Sequence, residues 1–291
     1  MTSHNRLKTT IRCLERLRII AEKGTYDVRV FLVDAGSTDG TAEKAPSVWD
    51  RVTLIRTESD VYWAEGMALA EKHAFHDPDF SGGDFIVWLN DDVLLDEDSL
   101  DRAFEYIGSD SERTQKIYVG AMQAEAGATT YGGLSRSKWN PLGISLVAPT
   151  PEPVPVDTFH GNFVLVPAPI ADDLQGIDGR FGHHMADIDY GVRSSQRGYE
   201  NVLLPGTFGQ CEIGGPNFTS RRQQWTFYRS IRGGGHWPTR LHFLKKHSWI
   251  PGRAALLAMD VVHALRIIWT PPSRNADPTA TSNTEMSTPR D

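Results

Sequence analysis

Apolar and polar positions alternate in blocks along the first 115 residues. Leu7, Ile11, Leu14 and Ile19 recur at helical spacing, with Ser3 or Asn5 placed to cap a helix. "VRVFLVD", 28–34, is a β-branched run that reads as a strand, and the small polar turn "AGSTDGT" follows it. "VTLIR", 52–56, and "DFIVWLN", 84–90, are two more strands. "AEGMALAEKHAF", 64–75, and "EDSLDRAFEYI" are helices between and after them. Strands alternating with helices predict an α/β fold, a mainly parallel sheet flanked by helices. Beyond residue 115 the pattern changes. "KIYVGAMQA" and "GNFVLVP" read as strands, and "APTPEPVPVD", 148–157, as an extended loop.

From about residue 216 the chain turns basic and aromatic. Arg221, Arg222, Arg229, Arg232, Arg240, Lys245 and Lys246 interleave with Trp225, Phe227, Tyr228 and Trp237. Three segments are expected: a domain over 1–215, a C-terminal helical extension over 216–270 and a disordered tail over 271–291. The extension is either a helical cap with solvated cations or a surface for anionic lipid. "AALLAMDVVHALRIIW", 254–269, is too short and too interrupted by Asp260, His263 and Arg266 to span a bilayer.

The 291 residues are 40% hydrophobic and carry a formal net charge of −7, which gives no sign of a nucleic-acid partner. Cys13 and Cys211 form no CxxC pair, and "MTSHNRLKTT" has no apolar core of a signal peptide. A cytoplasmic protein is expected.

Three constellations carry candidate chemistry. "VWLNDDVLL" sets Asn90, Asp91 and Asp92 inside an apolar run at a strand's carboxyl end. Adjacent carboxylates repel, so something positive should sit beside them: a divalent cation with hard oxygen ligands, unless the cluster only closes a turn. Asp34 closes its own strand and either accepts from a nucleobase N–H or forms an Asx-turn. In "FGHHMADIDYGVRSSQRGYE", Asp187 and Asp189 lie at a helix start. One is a candidate general base; both also suit a helix dipole. His183 and His184 are candidate ligands or solvated loop residues.

Together these segments resemble the family 2 glycosyltransferases of the GT-A (Rossmann-like) fold, including rhamnosyltransferase-like members. "TSHNRLKTTIRCLERL" is similar to the family's opening, "VDAGSTDGT" to its nucleotide-binding turn and "LNDDV" to its DxD-type motif. "HGNFVLVP" with "HHMADIDYGVRSSQRGY" is similar to its acceptor motif and catalytic helix. The resemblance covers about residues 1–215. It implies an inverting transferase, moving a sugar from a UDP-, dTDP- or GDP-sugar to a saccharide or lipid-linked saccharide in bacterial surface polysaccharide assembly. The basic extension adds a second expectation, peripheral contact with the inner face of the plasma membrane or with a lipid-diphosphate acceptor. Mg²⁺ or Mn²⁺ would be the cofactor, held by Asp92. Thr2, Asp34, Ser37, Asn90 and Asp91 would bind the donor nucleotide. Trp63, Gly161, Asn162 and Asp189 would line the sugar and acceptor side, and Asp187 would be the base. Asp189 is also placed to pair with Arg193.

Three features depart from the family pattern. Ala186 stands where the glutamate of an ED pair is usual. Cys211 stands near the place of a metal-binding histidine. The chain opens at Met1-Thr2-Ser3-His4 where an apolar strand is usual, so an added upstream strand is expected to stabilise it. A catalytically impaired nucleotide-sugar-binding module and a nucleotidyltransferase of similar fold are the competing readings.

Overall fold

The computed structural model describes residues 1–24, 26–216, 218–248 and 252–269. The expected tail, 271–291, lies outside the described residues. In chain order the elements begin with β1 (Thr2–Ser3), α1 (Leu7–Gly24), β2 (Val30–Ala35), α2 (Thr41–Val48), β3 (Val52–Thr57) and α3 (Trp63–Phe75). Next come β4 (Phe85–Leu89), β5 (Leu94–Leu95), α4 (Ser99–Ser109), β6 (Lys116–Gln123), β7 (Thr129–Tyr131), β8 (Gly133–Arg136) and β9 (Ile144–Leu146). The chain continues with β10 (Val154–Val156), β11 (Thr158–Phe159), β12 (Phe163–Pro167), α5 (Ala168–Leu174), α6 (Ala186–Gln196) and β13 (Glu200–Gln210). Three helices of the extension follow: α7 (Arg221–Arg229), α8 (Trp237–His247) and α9 (Gly252–Trp269).

Strands β1, β2 and β3 pair in parallel, as the strand–helix alternation predicts. The central sheet is mixed. It runs β10-β13-β6-β12-β4, with β13 and β6 parallel and β12 antiparallel to both β4 and β6. A third small sheet orders β11-β8-β9. The Pro-rich 148–157 stretch is not wholly loop: Val154–Val156 pair with β13. They form an outer strand, the place where a proline's missing N–H is tolerated.

The period of two along the central strands divides the core. Phe163 and Leu165 of β12, with Tyr118 and Met122 of β6, face α1 and α4, which contribute Leu14, Leu17, Ile20, Leu100 and Ile107. Val164 and Val166, with Ile117 and Val119, face the other way onto Trp88, Phe159, Phe181, Tyr190 and Phe243. Both faces of the sheet are therefore covered, which is why β6 and β12 are nearly continuous apolar runs. Phe243 belongs to α8, so the extension packs on the sheet's second face.

Candidate active site

Strand register assembles the site. In β1, Ser3 lies opposite Asp34, which brings residues 2–6 beside the end of β2. Leu89 lies opposite Phe163, so the residues after β4 meet those before β12, and the Asn90 N–H donates to the Asn162 carbonyl at 3.2 Å. Leu94 and Leu95 lie opposite Gln210 and Gly209, which sets Cys211 beside Asp92.

The turn after β2 is laced to residues 5–7. Asn5 adopts a left-handed conformation, tolerable for asparagine. Its N–H donates to Ser37 Oγ at 2.8 Å and its Oδ1 accepts from the Thr38 N–H at 2.8 Å. Asp39 Oδ2 accepts from the Leu7 N–H at 2.9 Å, supplying a partner for the first turn of α1. Gly36 has φ +63°, and a Cβ there would lie 2.8 Å from the Ser59 backbone, so only glycine fits. Asp34 is 2% exposed. Its Oδ2 accepts from the Ser37 N–H at 3.0 Å, an Asx-type turn, while its Oδ1 is buried without a partner. Thr2, half-buried on β1, packs over Gly66 of α3.

Asn90, Asp91 and Asp92 do have a positive partner: Arg6. Its Nη1 lies 3.1 Å from Asp91 and its Nη2 donates to Asp92 at 2.6 Å. Asp91 is buried and also accepts from Thr10 Oγ1 at 3.1 Å. Burial, and secondarily the charge of Asp92, still hold its carboxyl above the usual range, although Arg6 opposes the shift. On Arg6, burial pulls downward, but the two carboxylates outweigh it and raise the guanidinium. The Cys211 Sγ lies 3.6 Å from Asp92 Oδ1, and burial followed by the Asp92 charge pushes its thiol up to about 12.

On the other side Trp63 Nε1–H donates to Asn90 Oδ1 at 2.8 Å. A Cβ on Gly161 would meet the Trp63 ring at 2.8 Å, so glycine lets the indole close over this backbone. The Gly161 N–H donates to Asp187 Oδ2 at 3.0 Å. Asn162 Nδ2 donates to Cys211 Sγ at 3.4 Å. Trp63, Asn90, Gly161, Asn162 and Asp187 are thus one connected group.

Asp189 departs from its expected place beside the sugar. Two residues on a helix turn the side chain by about 200°, so Asp187 and Asp189 occupy opposite faces of α6. Asp189 is fully buried and faces the extension, bound to Arg193 Nε at 2.8 Å, Lys246 Nζ at 2.6 Å and His247 Nε2 at 2.7 Å. The pairing with Arg193 was expected; the extension's contribution was not. A cavity of about 700 Å³ lies on this side, lined by Glu65, Asp178, Arg180, Arg193 and Lys246. Asp178 pairs with Arg180 and Lys246 of this lining, and Asp189 with Arg193 and Lys246.

Sequence reasoning left Arg6, Tyr131 and His160 without roles. His160 precedes Gly161, sets its ring edge-on to Tyr131 with centroids 5.3 Å apart, and has a buried Nδ1 without a partner. Burial lowers the His160 pKa, with Asp187 opposing. Its adjacency to the Gly161-Asn162 pair was the available signal. His183, half-buried, meets Tyr62 edge-on, and burial lowers it to about 4; His184 Nε2 is 2.6 Å from the Arg232 carbonyl.

The carboxylate of Asp92 suits a hard divalent cation, whereas a thiol held at about 12 does not. Among the described residues no group of three or more His, Cys, Asp or Glu is arranged to hold a metal alone. Such a cation would need further oxygens from a diphosphate and water, the usual habit of Mg²⁺.

The glycosyl transferase family 2 model matches residues 1–161. No curated protein matches the chain closely enough to count as a relative. Among solved structures, S. aureus TarS aligns with TM-score 0.51 at 13% identity, covering 89% of this chain and 42% of that one. The chain therefore spans less than half of that protein's length. Its 1–349 portion in complex with UDP-GlcNAc aligns with TM-score 0.53 at 12% identity, covering 91% and 81%. A further structure of the TarS 1–349 portion gives TM-score 0.50 at 14% identity, covering 89% of this chain and 68% of that one. At such identities the likeness is one of fold, the GT-A fold of these transferases. With more than half of its residues matched by the family model, the chain belongs to glycosyl transferase family 2.

Proposed function

We propose that the protein transfers a sugar, with inversion, from a nucleoside-diphosphate sugar to an acceptor hydroxyl, in assembly of a bacterial surface polysaccharide. The observation that carries this reading is the convergence of Asp34, Asn90–Asp92 and Asp187, which register and helix placement gather at the strand ends. The unpartnered Asp34 Oδ1 suits a base N–H, and Thr2 and Ser37 border the same turn. Arg6, with Asn90 and Asp91 behind it, would meet the ribose and diphosphate. Trp63, Gly161 and Asn162 would shape the sugar and acceptor side. UDP-, dTDP- and GDP-sugars are the donor candidates. A UDP-sugar comes first, because the structurally similar TarS portion binds UDP-GlcNAc. The acceptor is a saccharide or a lipid-linked saccharide. In this reading residues 1–215 form the transferase unit and 216–270 its C-terminal helical extension.

In this mechanism Asp187 takes the acceptor hydroxyl proton as the oxygen attacks the anomeric carbon. The anomeric bond to the phosphate oxygen breaks on the opposite face, so the configuration inverts. The nucleoside diphosphate leaves with the bonding pair, and Arg6 meets part of its charge. A Mg²⁺ or Mn²⁺ at Asp92 would supply further neutralisation of the diphosphate.

A thermal-shift screen of UDP, dTDP and GDP with and without Mn²⁺, followed by donor hydrolysis with the matching sugar, tests the proposal. One nucleoside diphosphate should stabilise the protein, and its sugar donor should be hydrolysed slowly. Binding without any hydrolysis or transfer would instead favour a sugar-nucleotide-binding module. No stabilisation by any of the three would overturn the donor assignment.

A further inference from the structure

The strongest feature outside the site is the outer face of α9. Its single acid, Asp260, is buried and consumed: Tyr228 Oη and Trp237 Nε1 donate to it, at 3.2 and 2.8 Å, and Arg229 pairs with it. His263 stacks on Tyr228 with centroids 3.7 Å apart, and Leu256 and Ile267 are buried. These contacts fix the rotation of α9 against α7 and α8. Beside the exposed Arg266, what is left outward is mainly apolar: Leu257, Val261, Val262, Leu265 and Ile268 are each at least 50% exposed. Around the helix axis they span an arc of about 140° at 100° per residue, broader than the narrow seam of a two-helix coiled coil.

Charge decides what covers this face. Residues 216–269 hold nine Lys and Arg against one acid, in a chain whose net charge is −7. Arg221 and Arg222 are exposed at the start of α7, which packs on α9. A second copy would bring two basic segments together. Residues 270–291 contain no Leu, Ile, Val or aromatic side chain with which to cover an apolar arc. Among the described residues no helix is long and apolar enough to cross a membrane. We propose that α9 lies in the plane of an anionic bilayer surface, its apolar arc at the headgroup–acyl boundary and Arg221 and Arg222 among the lipid phosphates. This docking does not depend on the donor chemistry, and vesicle binding is measured without donor, so either proposal can fail alone.

The test is flotation of the full chain with phosphatidylglycerol/phosphatidylcholine vesicles and with phosphatidylcholine alone, at low and high salt. Binding should appear on the anionic vesicles at low salt and weaken in high salt. Val261→Asp with Leu265→Asp should weaken it at least tenfold, and Arg221→Glu with Arg222→Glu several-fold. Both pairs are exposed, so melting temperatures should stay near wild type, which separates lost docking from lost folding. Absence of binding to anionic vesicles at low salt would overturn the proposal. So would unchanged binding by the aspartate pair, or a solution dimer that this pair dissolves, since the covering surface would then be a second copy.

Discussion

Two groups of carboxylates are balanced in opposite ways. Asp91 and Asp92 share one guanidinium, Arg6, whose side chain is 45% exposed and arrives from a loop. Asp178 and Asp189 are each held by several partners: Arg180, Lys246 and the His242 ring on the first, Arg193, Lys246 and the His247 ring on the second. Burial holds the Asp91 carboxyl above its usual range. Burial also opposes ionisation of Asp178 and Asp189, but their partners outweigh it and both fall below the usual range. The first group is under-compensated, as suits a place that receives a charged ligand. The second is saturated and ties the extension to α6. Helix α6 separates the two kinds of role, with Asp187 on one face and Asp189 on the other.

The largest effect expected is at Asp187. If it is the base, Asp187→Asn should lower turnover about 10²–10⁴-fold while donor affinity, read by isothermal titration, stays nearly unchanged. Retained turnover would remove Asp187 from the mechanism.

Asp189→Asn should act on stability instead. Removing one partner of a buried ion pair costs about 3–5 kcal/mol, because the remaining charges stay desolvated. Denaturant unfolding should show that loss, whereas an unchanged midpoint would mean the network is only apparent. The pH sign follows from the lowered native pKa. The contribution of Asp189 is present above its unfolded value and is lost as pH falls through the native one.

The sequence made the strands and the α6 acids legible because each is written in local pattern: a period of two, a strand-end polar cluster, a helix start. It did not reveal what lies across the fold. Arg6 sits in the opening segment "TSHNRLKTTIRCLERL", yet its partners are more than 80 residues away. Two of the partners on Asp189, Lys246 and His247, come from α8, 57 and 58 positions on. The antiparallel pairing of β12 with β4 is likewise non-local, although it is what places Asn90 beside Asn162. Cys211 was placed near the metal motif from the family pattern, and the register of β13 with β5 is what puts it there.

Glu71 lies between the two groups in character. It is buried, accepts from the Ile177 N–H at 2.8 Å and leaves Oε1 without a partner; burial raises it to about 7. The folded protein therefore binds a proton there that the unfolded chain releases near 4.5. Stability from this group is full below 4.5, falls as pH rises to about 7 and is then level. Asp91, also raised, slopes the same way, so Glu71→Gln should flatten the profile without abolishing the slope. The difference between wild type and variant over that window is on the order of 3 kcal/mol at most. Parallel unfolding curves at pH 5 and pH 8 for the two proteins would disprove the assignment.

The smallest effect separates a guanidinium from a cation as the partner of Asp91 and Asp92. Arg6→Met keeps a similar stem and removes the charge. The partly exposed Asp92 side chain then retains the weak thiol contact of Cys211. Arg6 and a cation both draw on the Asp92 carboxylate, so removing the guanidinium should leave more of its charge to Mn²⁺. Mn²⁺ binding, followed by the loss of free-ion electron paramagnetic signal, should tighten about 3–10-fold, which is roughly 1 kcal/mol. Asp92→Asn added to Arg6→Met should cancel that gain, because the oxygen ligand carries it. Should Arg6→Met leave Mn²⁺ unbound while weakening the nucleoside diphosphate, the guanidinium itself would be the diphosphate's counter-charge, and the under-compensated group would have no need of a metal.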